Sequence, residues 1–215
     1  MVRLLSRQDV GALRRPLNVV FGAPSHVAIL RALAPRAAGA TGGEIARLAG
    51  VTPQAVLDAL TRLEALGIVS RLPMGRGYLF RLNRDHELVK GGILPLLEEE
   101  ARFGVRLREV LKKVFGRDVV TGLIYGSTGR GEERPESDLD VCLIVRGSKD
   151  KEKVLERSAG LAGEIRRGFG LRLSPIAFTV AEFARGLKGG KALMKNIAKD
   201  GERFVGLAVE RMEHG

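Results

Sequence analysis

Two apolar stretches, separated by a turn rich in glycine and arginine, constrain the fold of this chain more than any other feature. The first, residues 123–125, ends at Gly126, and the second, Asp138–Val145, begins with two aspartates one residue apart. Side chains of a strand alternate between its two faces, so Asp138 and Asp140 lie on the same face, about 7 Å apart along the chain. The pattern predicts two strands, with a pair of carboxylates near the start of the second.

The paired carboxylates indicate a cation site. Two carboxylates held close together repel each other unless a cation lies between them, and Mg²⁺ prefers such oxygen ligands, often together with phosphate oxygens. Gly126 lets the backbone approach a phosphate, Ser127 offers a hydroxyl, and a helix beginning near Thr128 would direct free N–H groups at the anion. We therefore predict a nucleotide held through its phosphates, with Mg²⁺ or Mn²⁺ bound by Asp138 and Asp140.

The glycine-rich turn has two other possible interpretations. A Walker-type phosphate loop is excluded because no Gly-Lys-Ser/Thr follows Gly131, and residues 189–192 lack both the spacing and the hydroxyl. A glycine-rich hairpin with a solvated acidic strand end remains the structural alternative.

The order of these residues resembles the signature of the minimal nucleotidyltransferases of the DNA polymerase β superfamily. The resemblance rests on Gly126-Ser127, Arg130-Gly131-Glu132 and Ser137-Asp138-Leu139-Asp140, and the segment 196–206 is similar to the tail that follows this core in many relatives. It implies a mixed β-sheet with flanking helices and a nucleoside triphosphate as substrate or ligand. It also implies Asp138 and Asp140 as catalytic metal ligands, and a phosphate-binding set of Gly126, Ser127, Arg130 and Ser137.

A third carboxylate is not found where the family usually has one. That acid comes from the strand after the next helix, about thirty residues beyond the aspartate pair. The corresponding predicted strand, residues 171–178, contains no acid; Ser174 stands at that position, and Glu182 lies beyond the strand end. Loss of a group that acts only in the transition state typically lowers the rate ~10²–10⁴-fold, while ground-state binding survives. We therefore expect the chain to bind a Mg²⁺–nucleotide better than it transfers one.

The N-terminal region predicts a bundle of helices followed by a β-ribbon. Pro24 opens a first helix, and Thr41 with Glu44 forms a capping box ahead of a short helix over residues 43–48. Thr52 and Pro53 begin a longer helix that stops at Gly67, and strands over residues 68–72 and 78–82 follow.

Residues 41–71 resemble the bacterial and archaeal winged-helix regulators, through Glu44-Ile45-Ala46, Gly50-Val51-Thr52 and Gly67-Ile68-Val69. The resemblance implies binding of double-stranded DNA. The predicted DNA contacts are exposed residues of the helix after Thr52 and of the ribbon: Gln54, Arg62, Arg71, Arg76 and Arg81. The alternative is a winged helix that packs against a protein.

The rest of the chain predicts helices alternating with strands. Residues 85–115 are expected to be largely helical with a break at Gly91-Gly92, and residues 201–206 to form a turn ahead of a last helix. We predict a two-domain α+β or α/β chain. The expected parts are a winged helix-turn-helix domain (1–85, with an extension at 1–16), a helical connector (86–115) and a nucleotidyltransferase-like domain (116–215).

Charge and composition narrow the class of partner. The net charge is +11, and residues 1–85 contribute +7 of it through twelve arginines, no lysine and five acidic residues, which favours an anionic partner. No apolar run approaches a membrane span, no signal peptide is recognised, and the one cysteine, Cys142, is expected to be buried in a strand. We therefore expect a cytoplasmic protein with no membrane partner.

Two functions follow as hypotheses. The first is metal-dependent transfer of a nucleoside monophosphate to a hydroxyl of a protein, such as a cognate toxin, or of a small molecule. The second is a DNA-binding transcriptional regulator whose nucleotidyltransferase-like domain binds a nucleotide or a partner with little or no turnover. The connector could serve as the arm of a homodimer. The preferred base, the acceptor, the DNA sequence and the oligomeric state stay open.

Overall fold

A computed structural model describes residues 15–126 and 137–209 and divides the chain into two compact units, Met1–Arg102 and Phe103–Gly215. Both units mix helices with a β-sheet. The finer domain limits given above stay a prediction.

The first unit packs helices against a small antiparallel sheet. Its strands are ordered β1-β3-β2. In chain order its elements are α1 (Leu17–Val20), α2 (Pro24–Leu33), β1 (Ala40–Thr41), α3 (Gly42–Ala49), α4 (Pro53–Ala65), β2 (Val69–Met74) and β3 (Gly77–Leu82).

Local sequence signals explain where the helices of the first unit begin. Thr41 Oγ1 accepts a hydrogen bond from the Glu44 backbone N–H at 3.3 Å, and the Glu44 carboxylate accepts one from the Thr41 N–H at 2.8 Å, which confirms the predicted capping box. Thr52 caps α4 through the N–H of Ala55 at 3.2 Å, and Pro53 occupies the first turn. The apolar stripes of α2, α3 and α4 meet in one core that includes Ile29, Leu33, Ile45, Leu60 and Leu63.

The predicted break at Gly91-Gly92 is wrong. These glycines lie in a π-helical turn, Val89–Ile93, that runs directly into the long helix α5 (Leu94–Phe115). Val89 and Ile93 are buried in the core of the first unit, and this burial holds the turn in a helical path despite the glycines' poor helix propensity. The later residues Leu111 and Phe115 belong to the core of the second unit.

The second unit is a mixed four-stranded sheet with the order β6-β5-β4-β7. Strands β5 and β6 are parallel and the other two pairs are antiparallel. Its further elements are β4 (Thr121–Tyr125), β5 (Asp138–Val145), α6 (Ser148–Phe169), β6 (Arg172–Thr179), α7 (Val180–Lys188), α8 (Ala192–Asp200) and β7 (Glu202–Gly206).

Strand β7 corrects a second expectation, because residues 202–206 form an edge strand and not a turn. The segment pairs with β4 from Thr121 to Ile124 and buries Phe204, so pairing with a sheet edge overrides the turn signal of the flanking glycines. The last helix predicted beyond Gly206 falls mainly on residues 210–215, outside the described residues.

The side chains of β5 alternate between two apolar clusters, one on each face of the second unit's sheet. This alternation fixes the face on which the aspartates lie. Leu139, Val141 and Leu143 pack in a core with residues of α5 and α6, whereas Cys142 and Ile144 pack with residues of α7 and α8. Asp138 and Asp140 share the parity of Cys142, so they lie on the α7/α8 face of the sheet. Cys142 is fully buried and unbridged, as expected. Across residues 15–126 and 137–209, no helix combines the length and the apolar character needed to cross a membrane.

Candidate nucleotide and metal site

The aspartate pair lies at one end of the sheet of the second unit, where β4 ends and β5 and β6 begin. Asp140 pairs in register with Tyr125, the last residue of β4, and both aspartates are half-buried. The antiparallel pairing of β4 with β5 brings Gly126, the residue after β4, to the same sheet end as the carboxylates.

Gly126 is in direct contact with Asp140. Its φ of +74° lies in the left-handed region, and a Cβ at this position would overlap Asp140 Oδ2 and stand 3.3 Å from the carboxyl carbon. Glycine is therefore required by conformation and by space. Because Gly126 lies against the Asp140 carboxylate, we expect its backbone to line the candidate metal site.

Of the other predicted phosphate-binding residues, the structure describes only Ser137. Ser137 is half-buried immediately before β5. Ser127 and Arg130, and the helix expected near Thr128, lie outside the described residues.

Strand β6 places a residue beside each aspartate. The parallel register aligns Asp138 with Arg172 and Asp140 with Ser174. Arg172 donates from Nε to Asp138 Oδ1 and from Nη2 to Oδ2, each at 2.6 Å, and so forms a bidentate ion pair. This hydrogen-bonded pair lowers the pKa of the Asp138 carboxyl and raises that of the guanidinium.

Asp140 has the opposite electrostatic setting. Burial raises the pKa of its carboxyl, a hydrogen bond with Ser174 works in the other direction, and the negative charge of Asp138 adds to the rise. Burial, with the negative charge of Asp140 beside it, also raises the pKa of Tyr125 to about 12. A cation beside Asp140 would lower the pKa of both the Asp140 carboxyl and the Tyr125 hydroxyl.

Glu182, the nearest acid downstream of β6, belongs to another part of the unit. Its carboxylate accepts a hydrogen bond from the Thr179 backbone N–H at 2.9 Å, and two from Lys151 Nζ at 2.9 and 3.0 Å. It caps α7 at the far end of β6, where Thr179 pairs with Val145. Glu182 therefore cannot act as a third carboxylate beside Asp140.

The donor set fits one divalent cation. Asp138 and Asp140 supply carboxylate oxygens on one face of the sheet, and the backbone of Gly126 lies against Asp140; Mg²⁺ bound by such a pair typically completes its shell with phosphate oxygens and water. Within the part of the chain that the structure describes, no group of three or more His, Cys, Asp or Glu side chains is placed to hold a metal ion.

Arg172 is a residue of the site that the sequence alone does not indicate. Arg172 precedes Ser174 by two residues, as Asp138 precedes Asp140, but this spacing is informative only when the register of the two strands is known. Once β5 and β6 are taken as parallel neighbours in that register, Arg172 must lie beside Asp138.

In the first unit, the predicted DNA contacts are exposed but not equivalent. Gln54 donates to Asp58 Oδ1 at 2.9 Å, so these two residues of α4 engage each other. Arg71 pairs with Glu64 at 3.1 Å and lies over the Tyr78 ring at 5.0 Å, which ties β2 to α4 and to β3. The remaining predicted contacts, Arg62, Arg76 and Arg81, are exposed arginines.

Comparison with known proteins gives a class for part of the second unit. Residues 105–193 match the family described as "Nucleotidyltransferase domain", so this part of the chain is similar to that family. The match spans the second half of α5, the sheet strands β4–β6 and the helices up to the start of α8.

Among solved structures, the chain is similar to transcriptional regulator Tm0710 from Thermotoga maritima, at 21% sequence identity over 71% of this chain and 83% of that chain. The TM-score of 0.32 is too low for this likeness to carry an argument. The comparison with curated proteins found no match.

Proposed function

We propose that this chain is a DNA-binding regulator whose nucleotidyltransferase-like unit binds a Mg²⁺–nucleoside triphosphate with little or no turnover. The observation that carries the proposal is the pair of residues on β6: Arg172 and Ser174 lie beside Asp138 and Asp140, where a transferase would need a third acid.

The chemistry of transfer explains why these residues disfavour turnover. An acceptor hydroxyl would attack the α-phosphorus, the bond from that phosphorus to the bridging oxygen would break, pyrophosphate would leave, and the hydroxyl proton would pass to a base. Serine is a poor base, arginine stays protonated, and the pKa of Asp138 is lowered by its arginine partner. A bound metal ion would supply charge neutralisation at the phosphates. It would not provide the missing base.

Transfer of a nucleoside monophosphate to a protein or small-molecule hydroxyl is the second candidate. It is favoured by the contact between Gly126 and Asp140 and by the same-face aspartate pair, which keep the predicted metal and phosphate positions together. A protein acceptor such as a cognate toxin belongs to this candidate.

For the first unit we propose a winged helix-turn-helix that binds double-stranded DNA, alone or as a homodimer. The support is the order α2, α3, α4 and the β2–β3 ribbon, together with exposed arginines on both parts. Helix α4 would enter the major groove with Gln54 and Arg62, while Arg71, Arg76 and Arg81 of the ribbon would contact phosphates. Because Arg71 also holds the ribbon to α4, its loss would affect structure and binding together.

One pair of measurements separates the two candidates. Radiolabelled ATP, CTP, GTP and UTP are each incubated with the protein and Mg²⁺, and nucleotide bound at equilibrium is counted alongside any product or released pyrophosphate. The proposal expects stoichiometric binding that is lost in Asp138→Asn with Asp140→Asn, and turnover at least ~10²-fold below that of a member with all three acids. Efficient labelling of an acceptor would replace the proposal by the second candidate.

A further inference from the structure

We infer that Arg172 is a built-in competitor for the metal site: its guanidinium pairs with both carboxylate oxygens of Asp138, and a divalent cation that binds both aspartates competes with it for that carboxylate. The inference rests on the proposed function, because it concerns how that site takes up its metal.

The ion pair places Arg172 in competition with a metal ion for Asp138. Both carboxylate oxygens of Asp138 are engaged, Oδ1 by Nε and Oδ2 by Nη2, at 2.6 Å each. A cation bound between Asp138 and Asp140 would need one of those oxygens and would bring a positive charge beside the guanidinium. Metal binding and the ion pair therefore oppose each other.

Arg172 is free to leave. It is the first residue of β6, one of the two edge strands of the sheet, and 74% of its side chain is exposed, against 29% for Asp138. An exposed ion pair is weak and its long side chain can swing into solvent without disturbing a core. Breaking the ion pair therefore costs less free energy than cation binding can supply. A buried ion pair at the same position would prevent the cation from binding.

A nucleotide would favour the replacement of Arg172 by a metal ion at Asp138. The released guanidinium is planar and always charged, with paired donors suited to two oxygens of a phosphate. A triphosphate arriving with the metal offers Arg172 a replacement for the carboxylate that it loses. Metal and nucleotide binding should therefore reinforce each other, and by linkage the reinforcement must be equal in both directions.

Binding of Mn²⁺, measured by titration calorimetry or by the electron paramagnetic resonance of free Mn²⁺, tests the inference without any activity. The full chain is compared with Arg172→Gln, with the charge-retaining Arg172→Lys, and with Arg146→Gln as the matched control. Arg146 is an exposed arginine at the opposite end of β5, about 25 Å from Asp138 along the strand, so its loss changes net charge equally.

Without nucleotide, Arg172→Gln should bind Mn²⁺ about 3- to 10-fold more tightly than the wild type, Arg172→Lys should lie between them, and Arg146→Gln should match the wild type. With a non-hydrolysable ATP analogue, Mn²⁺ affinity should rise in the wild type and rise less in Arg172→Gln.

Two failures are distinguishable. Equal Mn²⁺ affinities in wild type and Arg172→Gln, both abolished by Asp138→Asn with Asp140→Asn, would overturn the competitor role and leave the proposed function standing. Absence of aspartate-dependent Mn²⁺ binding in every variant would overturn both. Unchanged folding of the Arg172 variants is checked by circular dichroism, and the exposure of the side chain predicts that they fold.

Discussion

The contact between Gly126 and Asp140 permits a test in which conformational strain and site geometry are separated by a matched control. Gly126 has a φ of +74°, and Gly170, at the C-terminus of α6, has a φ of +72°. A Cβ at Gly170 meets nothing within 4 Å, whereas one at Gly126 would overlap the Asp140 carboxylate. The two alanine variants thus share the backbone cost, and only one of them disturbs the site.

The magnitudes follow from that difference. An alanine held in the left-handed region costs about 1–2 kcal/mol, so Gly170→Ala should lose that much stability and should bind Mn²⁺–nucleotide like the wild type. Gly126→Ala pays the same cost and must also shift the carboxylate by on the order of half an ångström, since packed atoms do not interpenetrate. We expect an affinity at least about 10-fold weaker, as carboxylate–metal geometry tolerates little displacement.

The assay is Mn²⁺–nucleotide titration of both variants, with denaturant unfolding to measure the free energy of unfolding of each. Wild-type affinity in Gly126→Ala, despite a stability loss equal to that of Gly170→Ala, would refute the placement of Asp140 in the binding site. Equal affinity losses in the two variants would show that strain alone is responsible.

Three further predictions concern stability, the missing acid and DNA. Asp118 is almost buried and pairs with Lys153 at 2.7 Å and with Arg157, so Asp118→Asn should lower the free energy of unfolding by about 1–2 kcal/mol at pH 7. The hydrogen bond from Lys153 holds the pKa of Asp118 below its ordinary 3.8. The contribution to stability is therefore complete above about pH 5 and is lost as the pH falls through the lowered pKa, so the stabilities measured by denaturant should converge in acid. Ser174→Asp should tighten Mn²⁺ binding in calorimetry by adding a carboxylate beside Asp140, and an unchanged affinity would show that the side chain does not face the metal. Arg76→Ala with Arg81→Ala should weaken DNA binding and reduce the slope of log K against log salt by about 2 in a fluorescence titration, and an unchanged slope would contradict phosphate contacts.

Local patterns predicted the parts of this fold that are determined locally. The capping box of Thr41 and Glu44 involves residues three apart, and the shared face of Asp138 and Asp140 follows from strand alternation alone. Both could be derived without knowledge of any distant segment.

The errors and omissions have long-range causes. Residues 202–206 become a strand because β4, some eighty residues earlier in the chain, offers an edge. The helical path through Gly91-Gly92 is maintained by burial of Val89 and Ile93 in a core assembled from other elements. The role of Arg172 depends on the register between β5 and β6, which are joined through α6, and no local pattern encodes that register.

Thermal unfolding with and without Mg²⁺–nucleotide tests the central claim, a metal–nucleotide site formed by the aspartate pair, most directly. At a ligand concentration of 100 times Kd, binding to the folded state adds about 2.7 kcal/mol, so the wild-type Tm should rise by several degrees. We predict this rise in the wild type and its disappearance in Asp138→Ala with Asp140→Ala. An equal rise in both proteins, or none with any of the four nucleotides, would contradict it.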